Sequence, residues 1–330
     1  MKLLRLLFAI ACLNAAPAFA QSCADPGPVS NRAEKLVAIA TGEYQQFVGH
    51  RIDAQGRIWK FGNDEVETER LSEPSPDDRY AWRRVWRYWQ TLDRHQPGTL
   101  EMRRITWAQG LVDDPAQAER SRMTTLREAF AKLPKPGEPG YDAAADEIFR
   151  EAVIRATISD TPWSAAFISY LMDQAGLSEQ EFHYASAHAV YIKPALEQQP
   201  GYAYRACDVR HTVPRVGDLI CYGRAAEPLR SYADWMAHRD ELDGHVKSHC
   251  DLIVKVDRAA SKLESIGGNV EQSVTWRRLM LDADGHLSTR HLVGANARSL
   301  GPNGPVCSAD PGCRKSDLNQ QYWGLLLQLR

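Results

Sequence analysis

The stretch Thr161–Gly176 reads TPWSAAFISYLMDQAG and predicts the helix around which the rest of the chain is organised. Thr161 or Asp160 can cap the start of this helix, and Pro162 suits its first turn because the N–H that proline lacks would be unpaired there. Gly176 follows the last apolar position, as is typical of a helix end. The buried face is predicted by apolar residues at helical spacing: Ala166, Phe167, Tyr170, Leu171 and Ala175.

The fourth residue of this stretch, Ser164, is the first candidate for chemistry. It lies in the first helical turn, among free backbone N–H groups and at the positive end of the helix dipole. A thiol ionises readily at such a point, whereas a hydroxyl does not and needs a general base. The alternative is structural, because serine is common in a first turn, where it satisfies free donors.

The chain before this stretch has helical periodicity. NRAEKLVAIATGEYQQFVGH (31–50) and RYAWRRVWRYWQTLDRH (79–95) each repeat apolar residues at helical spacing. Further helices are predicted around 123–133 and 142–157, separated by the breaker PKPGEPG. The tryptophans of the second segment, Trp82, Trp86 and Trp89, fit a buried helix face better than a surface that stacks on sugar rings.

The chain after this stretch changes to short β-rich runs. These runs are GDLICYG, CDLIVKVD, KLESIGG, SVTWRRLML and LSTRHLVG, and DADG (282–285) reads as a hairpin turn between the last two. Their order without intervening helices predicts an antiparallel sheet. The fold class is therefore α+β, with a helical region at 21–140 and an α+β core at 141–330 in which helices pack on the sheet.

The first twenty residues, MKLLRLLFAIACLNAAPAFA, have the form of a signal peptide with cleavage after Ala20. We expect a periplasmic or secreted protein without stable membrane insertion, because no later segment is long and apolar enough to span a bilayer. Lysine and arginine number 40 against 42 aspartates and glutamates, which gives no overall attraction to nucleic acid.

Six cysteines follow the signal segment, and in an oxidising compartment an even number suggests disulfides. Cys307 and Cys313 share a Pro/Gly loop and form the best predicted pair. Cys221 and Cys250 lie on two predicted strands that can be neighbours. The pairing of Cys23, Cys207, Cys221 and Cys250 stays open. No CxxC pair is present, and His245 and His249 lack a further convincing ligand, so no metal is expected.

Five blocks of sequence carry a family resemblance: PWSAAFISYLMDQAG, FHYASAHAVYI, PRVGDLICYGR, HCDLIV and IGGNVEQSVTWR. In this order they resemble the bacterial family of domain of unknown function 2272, from about residue 30 to the C-terminus. The region 96–140 fits least and reads as a possible insertion. That family is in turn similar to the papain-like cell-wall hydrolases of the NlpC and CHAP types, which implies a papain-like core.

The resemblance implies a catalytic set. The nucleophile position of the papain-like enzymes falls on Ser164, the histidine position on His249, and the polar third position on Asn269. Two departures matter: serine replaces the usual cysteine, and Gly267 stands where CHAP enzymes usually carry a glutamate. The alternative interpretation of His249 is a histidine at a strand end that is hydrogen-bonded to the backbone. The alternative interpretation of Asn269 is a turn residue.

Other polar and aromatic residues of the same blocks are candidates for binding substrate. Tyr184, Ser186 and His188 can line the cleft, although a packed loop is the alternative reading. Trp163, beside the nucleophile position, and Asp218, in the GDL strand, complete this set.

Together these observations predict an exported hydrolase that cleaves an amide bond in peptidoglycan or a related peptide without a cofactor. Ser164 would attack the carbonyl, His249 would take the proton, Asn269 would orient the imidazole, and helix N–H groups would hold the oxyanion. The alternative is a catalytically inert papain-like module that binds cell-wall peptides or a protein partner. A third possibility is another hydrolytic or acyl-transfer reaction on a small exported substrate.

Overall fold

The computed structural model describes residues 23, 27–63, 81–99, 161–224, 229–292 and 317–330, which form an α+β fold. Its α-helices are α1 (Asn31–Phe47), α2 (Ala81–His95), α3 (Ser164–Ala175), α4 (His188–Leu196) and α5 (Tyr232–Ala237). Its strands are β1 (Arg51–Ile52), β2 (Ile58–Lys60), β3 (Tyr204–Cys207), β4 (Leu219–Gly223), β5 (Ser248–Asp257), β6 (Lys262–Val270), β7 (Ser273–Met280) and β8 (Trp323–Leu329).

The eight strands form one sheet in the order β2-β1-β7-β6-β5-β4-β8-β3. The prediction of an antiparallel sheet is wrong at one point: β1 runs parallel to β7, with Arg51 opposite Trp276. The two-residue β1 follows α1 and reaches the sheet from the N-terminal region, and so short a strand has no local pattern that could reveal a long-range pairing. The sheet is therefore mixed, while the other pairings among the described strands are antiparallel.

The segment LSTRHLVG, predicted as a strand, instead contains a short 3-10 helix at Thr289–His291. The preceding DADG is a turn, as predicted, closed by a bridge between Leu281 and Leu287. The Asp282 carboxylate accepts the N–H groups of Asp284 and His286, and these bonds hold the turn.

Helices α1 and α2 follow the predicted periodicity. Ser30 caps α1 by accepting the N–H of Ala33. Trp82 and Trp89 are 5% and 1% exposed, which confirms the core reading of the tryptophan face. The predicted helices around 123–133 and 142–157 lie outside the described residues, as does most of the possible insertion.

A buried carboxylate joins the three helices that cover the sheet near the site. Glu43 of α1 receives hydrogen bonds from Arg84 and Tyr88 of α2 and from Tyr170 of α3. Burial raises the pKa of Tyr88 well above its usual value, so the phenol stays neutral and donates to the carboxylate. This network holds α3 against α1 and α2.

Helix α3 begins at Ser164 and ends before Gly176, whose φ of +84° provides the left-handed cap. The N-cap is Trp163 rather than the predicted Thr161 or Asp160. Trp163 is fully buried and stacks on Phe47 of α1 at 5.7 Å between ring centroids, so tertiary packing sets this helix start. Because α3 lies between the other helices and strands β5 and β6, its residues from 164 to 172 are all buried.

Two disulfides are present among the described residues. Cys221 and Cys250 lie opposite each other on β4 and β5 and are bonded, which confirms that these cysteines are neighbours. Cys23 bonds Cys207 of β3, a pairing that the sequence left open. Cys307 and Cys313 lie outside the described residues. Two disulfides are consistent with an oxidising, extracytoplasmic compartment.

Candidate active site

A pocket of about 480 Å³ opens beside the start of α3, a size within the range of small-ligand sites. Pro162 and Ser164 form one wall, and residues 186–188 at the start of α4 form a second. Arg224, which directly follows β4, and residues 244–248, which lead into the first residue of β5, complete the described lining. Two helix starts and two strand ends therefore converge on one pocket.

The central contact of this pocket joins Ser164 to His188. The Ser164 Oγ lies 2.7 Å from Nε2 of His188, and the two side chains are 4% and 3% exposed. Each residue is the first of its helix, so the geometry depends on where α3 and α4 begin. A hydroxyl at hydrogen-bond distance from an imidazole is the arrangement that general-base activation of serine requires.

The other nitrogen of His188 is also occupied. Its Nδ1 is hydrogen-bonded to the hydroxyl of Tyr191, one helical turn later. Burial lowers the pKa of His188 well below 6.5, with His249 and Arg224 adding to the effect, so the ring is neutral. In the tautomer with its hydrogen on Nδ1, the neutral imidazole donates to Tyr191 and leaves a lone pair at Nε2 that can accept the proton of Ser164.

His249, the predicted base, lies next to this pair. Its ring centroid is 5.2 Å from that of His188, and its Nε2 is 2.8 Å from Asp251 Oδ1. Arg277 and Ser265 donate to the other oxygen of Asp251. His249 is thus held by a buried carboxylate rather than bonded to Ser164.

The charge state of this second pair follows from its surroundings. Burial opposes ionisation of Asp251, but Arg277 and His249 outweigh it, so the pKa of the carboxyl is lowered and the group is ionised. Burial lowers the pKa of His249, and Asp251 offsets this only in part. Because an ionised carboxylate only accepts, His249 donates from Nε2, and its Nδ1 is a buried lone pair with no hydrogen-bond partner among the described residues.

Asn269, the predicted orienting residue, lies in an irregular part of β6. Its φ is +54°, and the register with β7 shifts between Gly267 and Val270. Asn269 is not the group that holds His249, since the imidazole donates to Asp251. A Cβ at Gly267 would overlap Oδ1 of Asp251, so the Asp251 carboxylate occupies the space beside the position where a glutamate was expected.

The predicted substrate-binding residues divide into two groups. Ser186 and His188 line the pocket with Ser164. Trp163, Tyr184 and Asp218 are buried and do not belong to the described lining. Tyr184 donates to the carbonyl of Leu177, whereas Asp218 accepts the N–H of Leu329. Burial raises the pKa of Asp218 to about 7, although the backbone N–H groups of Leu329 and Arg215 and the charge of Arg215 lower it.

Sequence reasoning did not identify three residues that shape the site. Asp251 stands two residues after His249, and the period of two in a strand places both on one face of β5. Tyr191 stands three residues after His188 in a helix, a spacing that brings side chains together. Arg224, just after β4, gave no signal beyond its charge.

Among the described residues, one group of side chains could hold a metal ion. Ligand atoms of Asp282, Asp284 and His286 lie within 4.8 Å of one another at the exposed turn, far along the chain from the pocket residues. Asp282 is already engaged by the N–H groups of that turn. Within the described part of the chain, no helix is both long enough and apolar enough to cross a membrane.

A comparison with protein-family models identifies one match. The model described as "Uncharacterized protein conserved in bacteria (DUF2272)" covers residues 76–329, which is most of the chain. The chain belongs to this family. The family resemblance seen in the sequence is therefore confirmed over residues 76–329.

The family match includes Ser164, His188, Arg224, His249 and Asp251, so the pocket is part of the family domain. No curated protein and no solved structure matches the chain. The family description assigns no reaction, and the similarity to NlpC and CHAP enzymes stays a prediction.

Proposed function

We propose that this protein is an exported hydrolase that cleaves an amide bond in peptidoglycan or a related peptide, with Ser164 as nucleophile and His188 as general base. The hydrogen bond of 2.7 Å between Ser164 Oγ and His188 Nε2, on the wall of a pocket, carries this proposal. A signal-like N-terminus and the two disulfides support a periplasmic or secreted location.

In the proposed mechanism, Ser164 attacks the scissile carbonyl while His188 takes the hydroxyl proton. The protonated imidazole then gives that proton to the leaving amine, and water hydrolyses the acyl-enzyme by the reverse sequence. Tyr191 holds the ring through Nδ1. Burial disfavours the imidazolium, so the transferred proton is passed on to the amine readily.

The start of α3 supplies the group that would stabilise the oxyanion. The N–H groups of the first helical turn have no partners within the helix. The helix dipole adds about half a positive charge at this end. Backbone donors beside the nucleophile are the usual means of stabilising a tetrahedral intermediate.

His249 is the alternative base within the same proposal. Asp251 orients it, and its Nδ1 lone pair has no partner among the described residues, as a general base requires. In this version the Ser164 hydroxyl turns from His188 to His249, whose ring centroid lies 5.2 Å from that of His188.

A papain-like core is part of the proposal. Its support is the position of α3, whose N-terminus carries Ser164 and whose body packs on β5 and β6. His249 is the second residue of β5, which is the position that the resemblance to NlpC and CHAP enzymes assigns to the histidine.

A non-catalytic binding module is the second candidate. The observation that favours it is the partner of His188, which is a phenol rather than a carboxylate. Without a negative charge beside it, the imidazolium formed during catalysis is stabilised less. The same pocket would then grip a cell-wall peptide or a protein partner without turnover.

The test is incubation of the purified mature protein with peptidoglycan fragments and with a fluorophosphonate probe. We expect Ser164→Ala to abolish both turnover and labelling, while Ser169→Ala, a buried serine of the same helix, retains both. Loss of turnover in His188→Asn but not in His249→Asn would identify His188 as the base, and the opposite pattern would identify His249.

Two outcomes would contradict the hydrolase proposal. Equal turnover by the wild type and Ser164→Ala would remove Ser164 as nucleophile. Activity that appears only in Ser164→Cys would indicate a former cysteine site and favour the binding module.

A further inference from the structure

The pocket beside Ser164 carries positive charge on one wall. Arg224 and Lys247 both line it, and the N–H of Arg224 donates to the carbonyl of Lys247 at 2.9 Å. This bond extends the pairing of β4 with β5 by one step beyond Gly223 and Ser248. The two residues therefore lie opposite each other where β4 ends and β5 begins, and both side chains are exposed.

Arg224 is exposed at the pocket, and the described lining contains no carboxylate. Arg224 is close enough to the site that its charge lowers the pKa of both His188 and His249. A guanidinium that lines the same pocket as the nucleophile position is a feature expected of a binding site for an anion.

A buried hydroxyl on the same wall provides a second, independent observation. Ser248 lines the pocket and is 7% exposed, and its Oγ has no hydrogen-bond partner among the described residues. A buried hydroxyl without a partner is costly, so a bound group that accepts its hydrogen bond would stabilise the site. Ser248 directly follows Lys247 and faces Gly223, which precedes Arg224.

We infer that Arg224, Lys247 and Ser248 form a carboxylate subsite, so that the pocket selects short peptides with a free carboxylate near the bond presented to Ser164. Arginine is suited to this task because its planar guanidinium binds a carboxylate through two parallel hydrogen bonds. The inference rests on the proposed function in that the same pocket holds the nucleophile, and it names the substrate class.

The test is a binding measurement that does not depend on turnover. Isothermal titration of the Ser164→Ala protein compares N-acetyl-tetraalanine, which has a free carboxylate, with the same peptide as its carboxamide. We expect the acid to bind about tenfold more tightly, the effect of one charge-assisted hydrogen-bond pair. Adding Arg224→Gln should reduce this preference to less than about threefold, and Arg224→Lys should restore part of it.

The matched control is Arg258→Gln. Arg258 is an exposed arginine just after β5, at the opposite end of that strand from Ser248, so its loss changes the net charge equally without touching the pocket. Ser248→Ala should weaken binding of the acid and leave binding of the amide unchanged.

Three results would overturn the inference: equal affinity for acid and amide, no binding of the acid at millimolar concentration, or the same loss in Arg258→Gln as in Arg224→Gln. Cleavage of peptidoglycan fragments by the protein with Ser164 intact is measured separately. A carboxylate preference without cleavage would support the subsite and contradict the hydrolase proposal. Cleavage without a carboxylate preference would support the hydrolase proposal and contradict the subsite.

Discussion

Removal of the disulfides should cost most of the stability of this protein, and the long-range bridge should matter more. Cys23–Cys207 has a sequence separation of 184 residues, and Cys221–Cys250 a separation of 29. The loss of loop-closure entropy in the unfolded chain gives about 5 kcal/mol for the first and about 4 kcal/mol for the second at 25 °C. Their sum, about 9 kcal/mol, is comparable with the whole stability of a typical domain.

The assay is chemical denaturation of three proteins, each with Cys307→Ala and Cys313→Ala so that a reductant acts only on the two described bridges. One keeps both bridges, one lacks Cys23–Cys207, and one lacks Cys221–Cys250. Each is measured with and without reductant. The difference between the two conditions isolates the cross-link from the effect of deleting buried sulfur atoms.

We expect reduction to destabilise the protein that retains only Cys23–Cys207 by about 1 to 2 kcal/mol more than the one that retains only Cys221–Cys250. We also expect the protein with both bridges to unfold at 37 °C when reduced. Equal or reversed effects would refute the entropic argument. Full stability under reduction would refute the inference that the fold depends on an oxidising compartment.

Three further predictions concern buried charge and the site. Burial raises the pKa of Asp218 from 3.8 to about 7, so between these pH values the folded state holds a proton that the unfolded state has lost, and stability falls as pH rises. The unfolding free energy of Asp218→Asn relative to wild type should therefore rise by about 4 kcal/mol from pH 4 to pH 7.5 in urea titrations, and a flat difference would contradict the raised pKa. Asp251→Ala should cost about 3 to 5 kcal/mol in the same assay because it leaves the Arg277 guanidinium buried without its carboxylate, and a loss under about 1 kcal/mol would show that the pair is not essential. The pKa of His188 is lowered by burial, and the base must be neutral, so the acid limb of kcat/KM of the wild type should have its midpoint below pH 6.5; a midpoint at or above 6.5 would exclude the buried base.

Some features of the fold could be predicted because their causes are local. Helices α1 and α2 follow from apolar residues at helical spacing, and Gly176 ends α3 because a left-handed residue is required there. Strands β4 to β7 follow from short β-rich runs. The two-residue β1 and the N-cap of α3 could not be predicted, since β1 depends on a distant strand and the helix start on the packing of Trp163 against α1.

The candidate site shows the same division. The sequence pointed to Ser164, Ser186, His188 and His249 as residues of one site, but it grouped Ser164 with His249 and made His188 a substrate contact. In the structure, Ser164 is bonded to His188 because α3 and α4 begin side by side. Asp251 holds His249 because alternate residues of β5 share a face.

By itself, the sequence determined the α+β class, the family and the helix that carries Ser164. All three depend on periodicity or on motifs, which are short-range properties. Only the tertiary structure decided which histidine contacts Ser164, that Cys23 bonds Cys207, and that Arg224 and Lys247 share the pocket wall. These contacts join residues far apart in the chain, and their geometry arises only when helices and strands pack around a common core.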